Sequence, residues 1–199
     1  MFVTFEGLDG SGKSTQAELL RRRCEAEGRE VVLTREPGGT ALGEGVRQLL
    51  LGGSDAIAPW SEAALFTAAR AQLVEEVIRP ALDGGADVIC DRYLDSSLAY
   101  QGLARGLGIE RVLQLNLEAT GGLLPDVTFL LLVDPEESHA RLEGERDRIE
   151  REDGDFRARV DRAYRELAEL FPRRIVALDG ARPPEEIAGE VDGRLRARA

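Results

Sequence analysis

The segment Gly7-Leu8-Asp9-Gly10-Ser11-Gly12-Lys13-Ser14 decides the fold of this chain. It fits the pattern G-x-x-x-x-G-K-[ST] at every specified position, between an apolar run at residues 2–6 and a helical pattern at 14–27. Glycines let a backbone wrap around an anion, and a helix N-terminus adds positive potential there. A chance glycine-rich turn would not require this context. The segment therefore predicts a phosphate-binding loop.

Short apolar runs alternate with longer amphipathic runs along the rest of the chain. We predict strands at residues 2–6, 31–35, 86–91, 127–133 and 174–178. We predict helices at residues 14–27, 42–51, 61–82, 95–103, 110–120, 157–170 and 185–198. Ser61 is the expected N-cap of the long third helix, and Pro80 is expected to kink or restart it.

This alternation is typical of the α/β class, in which a parallel sheet is covered by helices on both faces. Together with the phosphate-binding loop it predicts a P-loop NTPase fold with a five-stranded parallel sheet. We expect one domain over residues 1–199, with mobile loops at 52–58 and 144–154.

Composition excludes several classes of function. The 199 residues carry a formal net charge of −11, which disfavours a nucleic-acid-binding surface. No apolar run approaches the roughly 20 residues that span a bilayer, and the N-terminus lacks the pattern of a signal peptide. Cys24 and Cys90 belong to no metal-binding or disulfide pattern. We therefore predict a cytoplasmic protein without nucleic-acid or membrane partners.

Two residues are candidate magnesium ligands. The hydroxyl of Ser14, which ends the phosphate-binding pattern, can bind Mg²⁺, while Lys13 can reach the β- and γ-phosphates of a nucleotide. Asp91 ends the apolar run 86–91, where a carboxylate can lie near that metal. A local cap is the alternative role for Asp91. No NKxD-like guanine-reading motif is present, so GTP-dependent switches are disfavoured.

Three further segments carry a more specific signal: Arg35-Glu36-Pro37-Gly38-Gly39-Thr40, Phe66-Thr67-Ala68-Ala69-Arg70, and Asp91-Arg92-Tyr93 with residues 96–101. Together with residues 7–14, their order and spacing resemble the thymidylate kinase family over essentially the whole chain. The resemblance implies phosphorylation of dTMP to dTDP with MgATP, in dTTP biosynthesis, by a homodimer. It also implies that residues 7–14 bind ATP. Whether the Glu36–Pro37 peptide is cis is left open.

The resemblance assigns dTMP binding to Asp9, Arg35, Phe66, Arg70, Arg92, Ser97, Tyr100 and Gln101. It implies that Phe66 stacks on thymine and that Arg70, one helical turn later, bonds its O4. From the residues alone, a core phenylalanine and a solvated arginine are favoured. Arg92 and Arg35 are expected at phosphates, either of which could instead be a structural ion pair.

The remaining assignments concern the sugar and the base edge. The resemblance places Asp9 at the sugar 3′-OH, and the alternative is a solvated loop carboxylate. It places Tyr100 against C2′, where a ring favours deoxyribose. Ser97 and Gln101 share a helical face and could touch the base edge.

A short lid is expected at approximately residues 136–154. Residues 9–11 of the loop provide no basic group, so the resemblance points to lid arginines that stabilise the transferred phosphoryl group. Of the arginines at 141, 146, 148 and 151, Arg146 and Arg148 are favoured because they lie between Gly144 and Gly154. They join Lys13 and Arg92 as candidate catalytic residues. A solvated mixed-charge surface is the alternative. His139 is expected to be a surface residue beside the lid.

Two other functions remain open at this point. One is a kinase of the same fold for another nucleoside monophosphate or for a deoxynucleoside. The other is a nucleotide-dependent switch that hydrolyses ATP slowly and needs no nucleotide acceptor.

Overall fold

A single parallel sheet organises the chain, in a computed structural model that describes residues 1–52, 56–142, 144 and 146–198. Its strands are β1 Phe2–Gly7, β2 Val31–Arg35, β3 Asp87–Asp91, β4 Val127–Leu132 and β5 Ile175–Asp179. The spatial order is β2-β3-β1-β4-β5, and every neighbouring pair is parallel. This confirms the predicted five-stranded sheet. It places β1, which leads into the phosphate-binding loop, at the centre.

The helices are α1 Lys13–Ala26, α2 Ala41–Leu51, α3 Pro59–Leu73, α4 Arg79–Asp83, α5 Leu94–Ser97, α6 Ile109–Thr120, α7 Pro135–Ala140, α8 Gly154–Leu170 and α9 Pro184–Arg196. Two π-helical segments, Val74–Ile78 and Leu98–Ala104, continue α3 and α5. Within the described ranges, none of the helices combines the length and the apolarity that crossing a membrane would require.

Two hydrophobic cores lie on opposite faces of the sheet. Successive residues of β1 point to opposite faces, so Phe2 joins the core under α3, α6 and α8, while Phe5 joins the core under α1 and α9. On the second face the ring of Phe5 stacks on that of Phe129, with the centroids 5.6 Å apart. The buried strands are mostly apolar on both sides for this reason.

The long predicted helix is interrupted, and its start differs from the prediction. Helix α3 begins at Pro59 after Ala58, so the expected cap at Ser61 is wrong. Proline suits the first turn because its missing N–H would have no partner there. The expected restart at Pro80 is confirmed, because the π-helical segment Val74–Ile78 precedes it and α4 begins at Arg79. Proline has no backbone N–H, and the π-helical segment accommodates the hydrogen bond that is therefore missing.

The predicted lid contains helical structure that the pattern did not reveal. Asp134 caps α7 by accepting a hydrogen bond from the backbone N–H of Glu136 at 2.9 Å. Asp153 caps α8 by accepting a hydrogen bond from the backbone N–H of Phe156. This helix therefore starts at Gly154, three residues earlier than predicted. Residues 143 and 145 of the lid and residues 53–55 of the predicted loop 52–58 lie outside the described residues.

Replacing Phe129 with alanine should lower the free energy of unfolding by about 3–5 kcal/mol. The side chain is fully buried and stacked on Phe5, so its removal leaves a cavity. Urea unfolding followed by circular dichroism measures the change. Leu170→Ala is the control, since Leu170 is 54% exposed, and it should change stability by less than about 0.5 kcal/mol. Equal losses would contradict the placement of Phe129 in the core.

Candidate active site

The phosphate-binding loop connects β1 to α1 with a backbone that requires glycine. Gly10 and Gly12 have φ values of 83° and 96°, in the left-handed region. A Cβ at Gly10 would lie 2.3 Å from the carbonyl oxygen of Ser138, and one at Gly7 would lie 2.5 Å from that of Leu131. The loop therefore packs against β4 and α7, and it leads into the N-terminus of α1, which favours anions.

Lys13 lies at the N-terminus of α1 with its side chain buried beside the loop. Its Nζ donates to the carbonyl oxygen of Leu8 at 2.7 Å and lies 3.9 Å from the carboxylate of Asp9. Burial lowers the pKa of Lys13, as does Arg92, while Asp9 acts in the opposite direction. The cavity over the loop is lined by Lys13 and by three arginines, Arg35, Arg47 and Arg92. Such a cavity suits a polyphosphate.

The two predicted magnesium ligands lie together. The hydroxyl of Ser14 donates to Oδ2 of Asp91 at 2.5 Å, and both residues line the loop cavity. β1 and β3 are neighbours with Phe5 opposite Asp91, which explains why residues distant in sequence meet here. One hydroxyl and one carboxylate are a suitable protein contribution for Mg²⁺, which normally takes further oxygens from phosphates and water.

A second cavity adjoins the first. Six of the residues predicted to bind the acceptor line it: Asp9, Phe66, Arg92, Ser97, Tyr100 and Gln101. Asp9 and Arg92 also line the loop cavity, as does Arg47. Phe66, Ser97, Tyr100 and Gln101 line the second cavity but not the first. The two cavities are therefore joined at Arg92, and we call the second one the acceptor cavity, after the predicted acceptor residues that line it.

Arg92 is held rigidly between the two cavities. Its backbone has a φ of 73°, uncommon for a residue with a side chain. Its guanidinium donates to Asp9 at 2.6 Å and to Ser96 and Tyr164 at 3.1 Å each. It also lies 5.4 Å from the centroid of the Tyr100 ring. Burial raises the pKa of Asp9, but Arg92 and Lys13 outweigh it and bring this pKa down to about 2. Asp9 therefore stays ionised.

A buried carboxylate lies beneath Arg92. Glu6, near the end of β1, is fully buried and accepts hydrogen bonds from the backbone N–H groups of Tyr93 and Ser96 at 2.8 and 3.1 Å. Its other oxygen accepts from the hydroxyls of Ser96 and Tyr164 at 2.6 and 2.8 Å. Burial raises the pKa of Glu6, and Asp95 acts in the same direction. Glu6 thereby positions the groups that hold Arg92.

Arg70 is a buried ion-pair partner, and the alternative of a solvated helix charge is wrong. Its side chain is 1% exposed and lies 2.5 Å from the carboxylate of Glu36. The guanidinium also donates to Ser97, to Asn116 and to the carbonyl oxygen of Tyr93. Arg70 thus lies behind Glu36 and Ser97, which line the acceptor cavity. A direct bond from Arg70 to a base would have to replace one of these partners.

Glu36 completes that ion pair in an unusual way. Oε2 accepts from Arg70, whereas Oε1 is buried and has no hydrogen-bond partner among the described residues. Burial raises the pKa of Glu36 to about 7, although Arg70 acts in the opposite direction. The peptide bond between Glu36 and Pro37 is cis.

The predicted catalytic arginines of the lid occupy different positions. Arg148 is only 10% exposed, and its guanidinium donates to Glu62 at 2.6 Å and to the carbonyl oxygen of Leu50 at 2.8 Å. The structure thus directs Arg148 to helices α2 and α3, contrary to its expected place at the phosphates, and the reading of a solvated surface is also wrong for it. Arg146 contacts the ring of His139, which is half-buried.

Arg35 and Gly154 complete the comparison with the predicted residues. Arg35 lines the loop cavity with a side chain that is 58% exposed, and it makes a 3.4 Å contact with Glu44. It does not line the acceptor cavity. Gly154, one of the two glycines that flank the favoured lid arginines, is the first residue of the capped helix α8.

Sequence reasoning missed four residues around the two cavities: Glu6, Arg47, Glu62 and Tyr164. A carboxylate within the apolar run 2–6 was a signal for Glu6, because an acid in a buried strand needs hydrogen-bonding partners. Tyr164 shares the apolar face of α8 with Phe156 and Val160, so its pattern was that of a core residue. Nothing in the pattern distinguished Arg47 and Glu62 from ordinary helix charges.

Replacing Arg70 with methionine should make stability depend on pH through Glu36. The carboxylate would lose its cation while staying buried, so its pKa would rise further above the ordinary value of 4.5. A carboxyl group whose pKa is higher in the folded state contributes stability below its unfolded pKa, and this is lost as the pH rises through the folded pKa. The variant should therefore lose about 3–5 kcal/mol at pH 8 and clearly less at pH 5.5.

Urea unfolding at both pH values, relative to the wild type, measures this difference. The double variant with Glu36→Gln and Arg70→Met is the control, because it removes the titrating group and should flatten the pH dependence. A single variant equally destabilised at pH 5.5 and 8 would show that Glu36 does not titrate in this range.

Comparisons with known proteins identify the family of this chain. The family profile described as "Thymidylate kinase" matches residues 5–191. A thymidylate kinase from Bifidobacterium longum (strain DJO10A) is 51% identical over 98% of this chain and 97% of its own length. One from Deinococcus radiodurans is 47% identical over 96% and 94%. The crystal structure of thymidylate kinase from Ehrlichia chaffeensis superposes with a TM-score of 0.80 at 36% identity, covering 98% of each chain. The chain therefore belongs to the thymidylate kinase family, the phosphotransferases that phosphorylate dTMP.

Proposed function

We propose that this chain transfers the γ-phosphoryl group of ATP, bound over residues 7–14, to the phosphate of dTMP in the adjoining cavity. The observation that carries the proposal is the position of Arg92, which lines both cavities and is bonded to Asp9 at 2.6 Å. A guanidinium fixed between a donor and an acceptor site can bind phosphates of both.

The lining residues suggest how dTMP lies. Its phosphate belongs near Arg92 and the exposed Arg35, at the end shared with the loop cavity. Its base then reaches Phe66, Ser97 and Gln101, which line only the acceptor cavity. We assign Asp9 to the sugar 3′-OH and the ring of Tyr100 to C2′, where a ring favours deoxyribose.

The transfer itself needs little proton chemistry. The acceptor phosphate is already an anion near neutral pH, so catalysis rests on alignment and on stabilising the charge of the transferred group. Lys13 and the loop N–H groups bind the donor phosphates, and Arg92 holds the acceptor in line. When bound, Mg²⁺ supplies charge neutralisation at the β- and γ-phosphates, and Ser14 and Asp91 are the residues that would hold it.

Residues 136–154 serve as the lid in this proposal. Arg146 is the lid arginine that we assign to the transferred phosphoryl group, since Arg148 is engaged by Glu62. Arg141 also has partners elsewhere, because its guanidinium donates to Glu137 and to the carbonyl oxygen of Gly180.

The homodimer and the cytoplasmic location stay predictions. Leu42 and Leu49 of α2 are 47% and 64% exposed, and together they offer an apolar surface to a second copy of the chain.

Coupled ADP release with ATP and each of dTMP, dUMP, dCMP, dGMP and AMP tests the proposal. We expect the highest kcat/KM for dTMP. Lys13→Ala should lower kcat for dTMP by about 100-fold or more while leaving the circular dichroism spectrum unchanged. ATP hydrolysis that no acceptor stimulates would instead identify a nucleotide-dependent switch.

Arg146→Ala should lower kcat at least about tenfold with little change in KM for either substrate. This is the expected pattern for a cation that acts mainly in the transition state. Arg165→Ala is a matched control, because Arg165 forms an exposed ion pair with Asp161 on α8. If Arg146→Ala keeps kcat within about twofold of the wild type, ~0.4 kcal/mol in barrier, Arg146 has no catalytic role.

A further inference from the structure

A buried carboxylate joins the acceptor cavity to the lid. Glu62 lies in the first turn of α3, and its side chain is 1% exposed. Oε1 accepts from Nε2 of Gln101 at 2.8 Å, and Oε2 accepts from Arg148 of the lid at 2.6 Å. Arg105 donates to both oxygens, at 3.4 and 3.3 Å. The roles proposed above for substrate and catalysis leave this carboxylate unexplained.

The contact with Gln101 determines which way its amide faces. A carboxylate only accepts hydrogen bonds, so it binds the NH₂ group of Gln101 and leaves the carbonyl oxygen available for the acceptor cavity. A carbonyl oxygen accepts from the N3–H of thymine or uracil. It opposes cytosine, whose N3 is itself an acceptor. The charge of Glu62 thereby influences which base is accepted, although Glu62 itself does not contact the acceptor.

The contact with Arg148 ties the lid to the same cavity. Besides Glu62, the guanidinium of Arg148 binds the carbonyl oxygen of Leu50. The backbone N–H of Arg148 donates to the carbonyl oxygen of Leu51 at 3.2 Å. The neighbouring residues Asp147, Ile149 and Glu150 line the acceptor cavity. Anchoring Arg148 therefore places one wall of this cavity.

We infer that Glu62 is a positioning residue that fixes the amide of Gln101 for bases with an N3–H group and, through Arg148, holds the lid against the acceptor cavity. The inference rests on the proposed function, because it takes the cavity to hold the base of the acceptor. Arg105 and Arg148 both lie within ion-pairing distance of Glu62. Together they offset the loss of hydration and keep this buried carboxylate charged.

Glu62→Gln tests the first half with almost no change in shape. Arg105 and Arg148 can only donate, so they would bind the single carbonyl oxygen of the new side chain and turn its NH₂ group toward Gln101. Gln101 would then flip and present its own NH₂ group to the base. We expect the ratio of kcat/KM for dTMP to that for dCMP to fall at least about tenfold. The ratio for dTMP to dUMP should not change, because uracil has the same N3–H.

Arg105→Met is the matched control, since it removes one cation from the cluster without touching Gln101. It should keep both acceptor ratios, whatever its effect on the melting temperature. Arg148→Met tests whether Arg148 holds the lid against the acceptor cavity. It should raise KM for dTMP, dUMP and dCMP by the same factor. Its effect should be smaller in the Glu62→Gln background, because both changes remove the contact between Glu62 and Arg148.

A structure of the wild-type protein with dTMP bound is a second measurement that does not depend on how the variants fold. We expect Nε2 of Gln101 to stay within hydrogen-bond distance of Glu62 and Oε1 to face N3 of the base. Gln101 turned away from Glu62, or an unchanged dTMP-to-dCMP ratio in folded Glu62→Gln, would overturn it. A wild type that does not prefer dTMP would instead refute the proposed function.

Discussion

The buried carboxylate of Glu6 is the constraint on which the rest of the site depends. A charged group without water needs a full set of donors, and Glu6 obtains them from two backbone N–H groups after β3 and from two hydroxyls, one of them on α8. These bonds connect the central strand to the segment that carries Arg92 and to the distant Tyr164. The phosphate-binding loop and the acceptor cavity therefore share one rigid support.

The same principle recurs around the acceptor cavity. Arg70 with Glu36, and Glu62 with Arg105 and Arg148, are buried ion pairs in positions where an enzyme could have packed apolar side chains. Such pairs add little net stability, because desolvation offsets their attraction. Each pair instead fixes the orientation of a polar group that faces the acceptor, such as the amide of Gln101.

The positions of the arginines show why neighbours in sequence can differ in role. Arg146 and Arg148 are two residues apart, yet Arg146 lies against His139 while Arg148 crosses to α2 and α3. The sequence predicts that both are cations of a lid. Only the folded chain shows that Arg148 pairs with the buried carboxylate of Glu62. Arg70 illustrates the same point, because Glu36 meets it from a segment 34 residues away.

The sequence by itself determined the parallel α/β fold, the phosphate-binding loop and the Ser14–Asp91 pair, whereas the residues of the acceptor lining came from the family resemblance. These features follow from local patterns: apolar strands, obligatory glycines, and side chains at strand ends that a parallel sheet brings to one edge. Tertiary structure alone decided the partners of the buried charges Glu6, Glu36, Glu62, Arg70 and Arg148. A charge in a helix or strand has the same local signature whether it meets water or a counter-charge, and the choice depends on which distant element packs against it.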